Sequence, residues 1–112
     1  MRTSRTNFDR QEARRDRRYA QPFLNVAIDG QDYVSDNWSL GGFHLTAKLP
    51  VEAGTTVTGM LRVDGMEALA FTAVVVRSDK TSDAVAFRFH NLSPLAVSKL
   101  DRALARRLVR RR

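Results

Sequence analysis

Residues 23–30 read Phe-Leu-Asn-Val-Ala-Ile-Asp-Gly, an apolar stretch that ends in a strong hairpin signal. The apolar run has the length of a single β-strand, and Asp29-Gly30 predicts that the chain reverses directly after it. Residues 31–38 resume with Tyr33 and Val34 and predict the partner strand of that hairpin. We therefore expect antiparallel β structure from Phe23 onward.

The chain up to residue 92 repeats this pattern of short strands and tight turns. Residues 43–47 alternate between apolar and polar, with Phe43, Leu45 and Ala47 on one face. Further strands are predicted over 55–63, 67–77 and 83–90, with a second hairpin signal at Asp64-Gly65. About six strands with short connections predict a closed or nearly closed antiparallel barrel, because closure removes exposed strand edges.

The last segment has the periodicity of a helix. Ser93 fits the N-cap position and Pro94 the first helical position. Apolar residues then recur at helical spacing, at Val97, Leu100, Leu104 and Leu108. This pattern predicts an amphipathic helix that packs against the barrel or against a partner. The predicted fold class is all-β with a flanking helix.

The net charge of +7 over 112 residues sits at the two ends of the chain. Residues 1–18 hold seven arginines against three acidic residues, and residues 99–112 hold seven basic residues against one acidic residue. The stretch between them is mildly acidic. We expect one domain, with a flexible basic arm over 1–20, the barrel over 21–92 and the helix over 93–112.

The chain contains no cysteine, which excludes disulfides and thiolate metal sites. This composition and an N-terminus without the pattern of a signal peptide predict a cytoplasmic protein. The longest apolar run, residues 68–76, is too short to span a bilayer, so no transmembrane segment is expected.

Arg14 and Arg18 frame an R-x-x-x-R directly before the first predicted strand. Arg10 and Arg14 form a second frame, but the later one is favoured because the barrel can anchor it. Guanidinium groups offer planar, permanently charged forks for phosphate oxygens and for the acceptor edge of guanine. Read alone, such an arginine run is also typical of a solvated tail.

Asn37, Ser39 and Gly42 frame an N-x-S-x-x-G between two predicted strands. Small polar side chains and a flexible glycine suit the close approach of a ligand, although a purely structural turn uses the same residue types. Together with the arginines, they indicate a site for an anionic nucleotide rather than a catalytic centre.

These two motifs, in this order and on this strand pattern, resemble the PilZ family of bacterial cyclic di-GMP receptors. The family pattern is R-x-x-x-R followed, after a hairpin's length of chain, by [D/N]-x-S-x-x-G. The likeness covers roughly residues 10–105. It implies a six-stranded antiparallel barrel with a flanking helix, no enzymatic activity, and cyclic di-GMP as the ligand without a further cofactor.

The resemblance also implies roles for the motif residues. Arg14 and Arg18 would grip phosphates and the Hoogsteen edge of guanine. Asn37 and Ser39 would hydrogen-bond a guanine or a ribose-phosphate, and Gly42 would let the backbone approach the ligand.

Three additional ligand-binding candidates lie next to these residues. Arg10 and Arg15 offer forks for a second stacked nucleotide. Trp38 offers an aromatic face for stacking, although packing inside the barrel explains it better.

The second motif departs from the usual pattern in one respect. Asn37 stands where the family often has aspartate, and Asp36 lies one position earlier. A slip of one residue in a strand would turn the side chain to the other face, so the facing of Asn37 matters for the site.

A catalytic role for Ser39 and a histidine metal site are set aside. Ser39 lacks the G-x-S-x-G context of a nucleophile and has no histidine with an identifiable role beside it. His44 and His90 fall opposite the apolar series of their strands, which favours positions at a surface or ligand rim over metal ligation.

The leading hypothesis is a cyclic di-GMP receptor with a mobile N-terminal arm. When the arginines of the arm contact the ligand, the arm folds over the barrel mouth. The protein surface that a downstream protein partner binds is thereby changed. One alternative is a small barrel that binds nucleic acid through its basic ends. Nucleic acid is the less favoured ligand, because the folded middle is mildly acidic. Another alternative is a protein-interaction domain whose helix docks on a partner and whose ligand site is vestigial.

Overall fold

The computed structural model describes residues 18–63 and 65–110, with side chains up to residue 105. Within these residues, seven antiparallel strands are followed by one helix. The elements are β1 (Leu24–Ile28), β2 (Gln31–Val34), β3 (Asn37–Ser39), β4 (Gly42–Thr46), β5 (Thr56–Val63), β6 (Leu69–Asp79), β7 (Ala84–Phe89) and α1 (Pro94–Arg110).

The strands form one curled sheet in the order β2-β1-β5-β6-β7-β4-β3. Its two edge strands, β2 and β3, follow each other in the chain and are separated by Ser35 and Asp36. The backbone N–H of Ser35 donates to Leu24 O at 2.9 Å, and that of Asp36 donates to His44 O at 2.8 Å. One continuous stretch of chain therefore pairs first with β1 and then with β4.

This change of partner corrects the predicted strand count from six to seven. The predicted strand over 31–38 is two strands, because the chain must bend at Ser35 and Asp36 to leave one neighbour and join the other. The predicted antiparallel, barrel-like class with a C-terminal helix is confirmed.

The first hairpin follows the sequence signal. Asp29 and Gly30 both have positive φ, 52° and 78°, and Ile28 pairs with Gln31 across them. Positive φ at both central residues is what a two-residue turn needs to match the twist of its strands. A second short hairpin joins Ser39 to Gly42 across two residues, Leu40 and Gly41.

The core lies inside the curl and is built from alternate residues of the strands. The rings of Phe43 and Phe87 stack with their centroids 4.6 Å apart, and Phe71 meets Phe43 edge-on at 5.6 Å. Phe43 and Leu45 are buried on one face, as the alternation predicted. Each such large apolar side chain contributes about 1.5–3 kcal/mol by leaving water.

Helix α1 begins as the sequence predicted. Ser93 Oγ accepts a hydrogen bond from the backbone N–H of Ala96 at 3.1 Å, the geometry of an N-cap. The buried side chains of the helix join the core: Ala96, Leu100, Ala103 and Leu104. The helix starts at Pro94, the position predicted for its first residue. Lys99 Nζ lies 3.3 Å from Glu67 Oε1 and ties the helix to the loop before β6.

The predicted arm meets the sheet at its last residues. Tyr19 forms an antiparallel bridge with Trp38, so the paired part of the chain begins before residue 21. The predicted flexibility of residues 1–17 lies outside the described residues. No helix in the described part is long and apolar enough to cross a membrane.

Candidate functional site

Four neighbouring strands place one row of side chains on the outer face of the sheet. Asn37 on β3 is paired with His44 on β4, His44 with Ala86 on β7, and Ala86 with Arg77 on β6. Directly opposed residues point to the same face of a sheet. The adjacent residues Trp38 and Phe43 are fully buried in the core, so this row faces outward.

A second outward row runs beside the first. Ser39 is paired with Gly42, Gly42 with Arg88, and Arg88 with Val74. Gly42 lies at the middle of this row, where an added Cβ would clash with the carbonyl oxygen of Phe87. The close pairing of β4 and β7 therefore accounts for a glycine at this position.

A β-bulge in β6 gives Arg77 its outward direction. Val75 is paired with Phe87, yet Arg77 is paired with Ala86, so Val76 is an extra residue between the two pairs. In a regular ladder Arg77 would oppose Val85, whose side chain is buried in the core. The bulge instead places an exposed guanidinium beside Ala86 and His44.

The two rows border an open cleft of about 830 Å³, which is within the usual range for small-molecule sites. Three arginines from separate parts of the chain line it, Arg18 before β1, Arg77 on β6 and Arg88 on β7. The turn from Ser39 to Gly41 lines another part of it. Apolar lining comes from the end of β7, from the segment after it and from helix α1, through Phe89, Leu92 and Val97 respectively.

The cleft is electrostatically positive. Arg18, Arg77 and Arg88 are exposed, and none of them forms an ion pair with a carboxylate among the described residues, where Lys99 and Glu67 are the one such pair. Burial lowers the pKa of His44, and Arg18 and Arg77 lower it further, while Asp36 acts in the opposite direction. The arrangement therefore suits an anion.

Two polar residues of the second motif occupy different environments. Ser39 is buried, and its Oγ accepts the backbone N–H of Gly41 at 3.0 Å, which closes the Leu40-Gly41 turn. Asn37 Oδ1 is buried and has no hydrogen-bond partner among the described residues. An unpaired buried acceptor costs about 1–3 kcal/mol, so Asn37 is suited to a ligand that brings a donor.

The short segment after Arg18 is fixed to this motif. The backbone N–H of Tyr19 donates to Trp38 O at 2.7 Å, and the N–H of Trp38 donates to Tyr19 O at 2.9 Å. The indole Nε1–H of Trp38 donates to Pro22 O at 2.7 Å. These bonds bring the end of the arginine frame to the strand that carries Asn37 and Ser39.

The chain matches the family model of the PilZ domain over residues 9–106. It belongs to the PilZ domain family. PilZ domains are in general receptor domains for cyclic di-GMP rather than enzymes. Comparison with curated proteins gives no significant match.

The predicted site residues of this PilZ domain fall into three groups. Arg18 and Ser39 line the cleft, while Asn37 and Gly42 belong to the two outward rows beside it. Arg10, Arg14 and Arg15 lie outside the described residues.

Trp38 is a predicted ligand-binding candidate that belongs to the core instead, because its side chain is 0% exposed. It offers no ring face to a base in this structure, which favours the packing interpretation over stacking.

Sequence reasoning did not single out Arg77 and Arg88 in this PilZ domain. Arg88 carried a usable signal, since it stands between Phe87 and Phe89 in an alternating strand and must face away from them. Arg77 carried none, because strict alternation from Val75 gives no sign of the extra residue at Val76. His44 lies at the rim of the cleft, as predicted, whereas His90 lies one residue beyond β7.

Proposed function

We propose that this protein is a cyclic di-GMP receptor that binds its ligand in the arginine-lined cleft. One observation carries the proposal: Arg18 and the Ser39–Gly41 turn, which belong to two separate sequence motifs, line the same cleft. The Tyr19–Trp38 bridge explains why they meet.

The chemistry of the cleft matches the two kinds of polar group on the ligand. The guanidinium of Arg18 can donate paired hydrogen bonds to a phosphate or to O6 and N7 of guanine. Asn37 Oδ1 can accept from the N–H groups on the other edge of guanine, which supplies the partner that this atom lacks among the described residues. Ser39 keeps its hydroxyl hydrogen for the ligand, because Oγ acts as the acceptor toward Gly41.

We propose that Arg14 completes the arginine pair and that Arg10 and Arg15 supply further cations from the segment before Arg18. Ligand phosphates would neutralise these crowded charges and order the segment over the cleft. The changed surface then signals to a downstream protein partner. In this proposal the protein acts in the cytoplasm, catalyses no reaction and needs no cofactor besides the ligand.

Calorimetric titration of the full chain with cyclic di-GMP tests the proposal, with GTP, cyclic AMP and single-stranded DNA as comparison ligands. We expect saturable binding of cyclic di-GMP and weaker or absent binding of the others. Equal heats for all ligands, or none for cyclic di-GMP, would refute it. A nucleic-acid binder would instead bind the DNA and lose that affinity steeply with added salt.

A matched pair of variants locates the site. Arg18→Ala removes a cleft arginine, and Arg62→Ala removes an exposed arginine on β5 that does not line the cleft. The proposal requires a loss of cyclic di-GMP affinity in the first variant and none in the second.

A further inference from the structure

Arg77 and Arg88 belong to neither sequence motif, yet both line the cleft that Arg18 enters. They stand on neighbouring strands: Arg77 is paired with Ala86, and Arg88 follows Ala86 by two residues on the same face. Such diagonal neighbours lie roughly 7–8 Å apart. The two arginines are therefore close neighbours on the surface of the sheet.

This pair lies on β6 and β7, away from the strand β3 that carries Asn37 and Ser39, although Arg88 is itself paired with Gly42 of the second motif. The first outward row crosses four strands from Asn37 through His44 and Ala86 to Arg77. With neighbouring strands about 4.8 Å apart, Asn37 and Arg77 are separated by roughly 14 Å along that row. The residues between them in the two rows include Ala86 and Gly42, which are small and leave no large side chain projecting from this part of the sheet.

We infer that Arg77 and Arg88 form a second cationic wall, which binds a ligand phosphate on the side of the cleft away from Asn37 and Ser39. The inference rests on the proposed function and extends it to residues outside both motifs. The ligand is then held between the N-terminal arginines and the sheet itself.

Two features support a binding role over a merely solvated face. Neither guanidinium forms an ion pair among the described residues, so both are available to an anion. The bulge at Val76 is the second feature, because it interrupts the ladder between β6 and β7 and thereby turns Arg77 outward into the cleft. Bulges that re-aim a side chain are over-represented next to functional sites.

The test uses the full chain with Arg77→Gln, Arg88→Gln and both together, each titrated with cyclic di-GMP. Because each substitution removes charge-assisted hydrogen bonds, we expect each to weaken binding by about tenfold to a hundredfold. Arg62→Gln is the control and should bind like the wild type. Far-UV circular dichroism checks that each variant is folded. Arg77→Lys and Arg88→Lys form a second series, which keeps the positive charge but lacks the planar guanidinium. These lysine variants should bind cyclic di-GMP less tightly than the wild type.

A second measurement separates contact from an indirect effect. The Nε–H signals of Arg77 and Arg88 in a ¹H–¹⁵N spectrum, assigned from the variants, should shift on saturation with cyclic di-GMP, while that of Arg62 should not. Unchanged affinity in the variants, or lost affinity with unmoved signals, would overturn the inference and leave the proposed function intact. A wild-type chain that binds no cyclic di-GMP would overturn both.

Discussion

Tyr19 and Trp38 are joined by two backbone hydrogen bonds, of 2.7 and 2.9 Å, so the residue directly after the arginine frame is fixed to the second residue of the N-x-S-x-x-G motif. Two segments that are distant in sequence thus share one anchor point. Arg18 cannot drift away from Ser39 without breaking this bridge, which gives the N-terminal arginines a defined starting position beside the cleft.

The anchor predicts that Trp38→Phe destabilises the protein. The substitution removes the Nε1–H bond to Pro22 O and leaves a gap in a fully buried position. We expect a loss of about 2–4 kcal/mol in the free energy of unfolding, from the unpaired carbonyl and the gap together. Urea unfolding measures it. As a control, Phe23→Leu changes a half-exposed ring and should cost less than about 1 kcal/mol; equal losses in both variants would contradict the anchor role.

The arginine frame predicts a specific loss of binding. Arg14→Ala and Arg18→Ala should each cost about 1.5–3 kcal/mol of binding free energy for cyclic di-GMP, and Arg18→Lys should also weaken binding because lysine lacks the planar fork. Calorimetry measures the affinities. If Arg111→Ala and Arg112→Ala reduce affinity as much as Arg14→Ala, binding reflects diffuse charge rather than a site.

Gly42 yields a prediction about the fold itself. In Gly42→Ala the new Cβ would meet the carbonyl oxygen of Phe87, which belongs to the backbone of the neighbouring strand and cannot move aside cheaply. We expect a loss of about 1–3 kcal/mol or more in thermal or urea unfolding. Gly30→Ala is the comparison, since its Cβ would meet nothing within 4 Å and its cost of about 1 kcal/mol comes from positive φ alone. A smaller loss at Gly42 than at Gly30 would disprove the steric account.

His44 predicts a pH dependence of stability. Burial, Arg18 and Arg77 lower its pKa in the folded state, so the unfolded chain, in which the histidine has its ordinary pKa of 6.5, takes up the proton first as pH falls. The contribution of neutral His44 to the free energy of unfolding is therefore complete above the pKa of the unfolded chain. It is lost as the pH falls from that pKa through the lower pKa of the folded state. We expect the unfolding free energy of the wild type, relative to that of His44→Gln, to fall between pH 7.5 and pH 5.5. A difference that is constant over this range would contradict the assignment.

Amide exchange tests the proposed ordering of the N-terminal segment. Exchange at residues 8–18 should slow when cyclic di-GMP is added, while Phe71 to Val76 in the sheet should barely change. Asn37→Ala with Ser39→Ala should leave residues 8–18 fast-exchanging even with ligand present, because the ordering needs both motifs. Protection of these residues before ligand is added would rule out the ordering mechanism, though not binding.

The parts of the fold set by local chemistry were predictable from sequence. Asp29-Gly30 permits the positive φ of its turn, and Ser93 caps the helix through its own hydroxyl. The division of residues 31–38 into two strands was not predictable, because it depends on which neighbouring strand each half meets in the curled sheet. Local propensity carries no information about that choice.

Only the motif residues of the candidate site were predictable from the sequence. The motifs pointed to Arg18 and Ser39, which line the cleft, and to Asn37, whose pairing with His44 places it in the outward row. Asp36 instead donates its N–H to His44 O and accepts a hydrogen bond from Thr46 Oγ1 at 2.5 Å. Arg77 escaped prediction because a single bulged residue reverses the facing of everything after it.

The bend at Ser35 and Asp36 has a consequence for the energetics of the sheet. Strand β3 is the shortest of the seven, with three residues, and it forms one edge of the hydrogen-bonded sheet. Its pairing with β4 thus has the fewest paired residues in the sheet, and Asn37 and Ser39 belong to it. A ligand that binds across this pairing would reinforce the sheet where it opens most easily. Ligand binding in the cleft would then raise the melting temperature of the protein, so thermal unfolding would report directly on binding across β3 and β4.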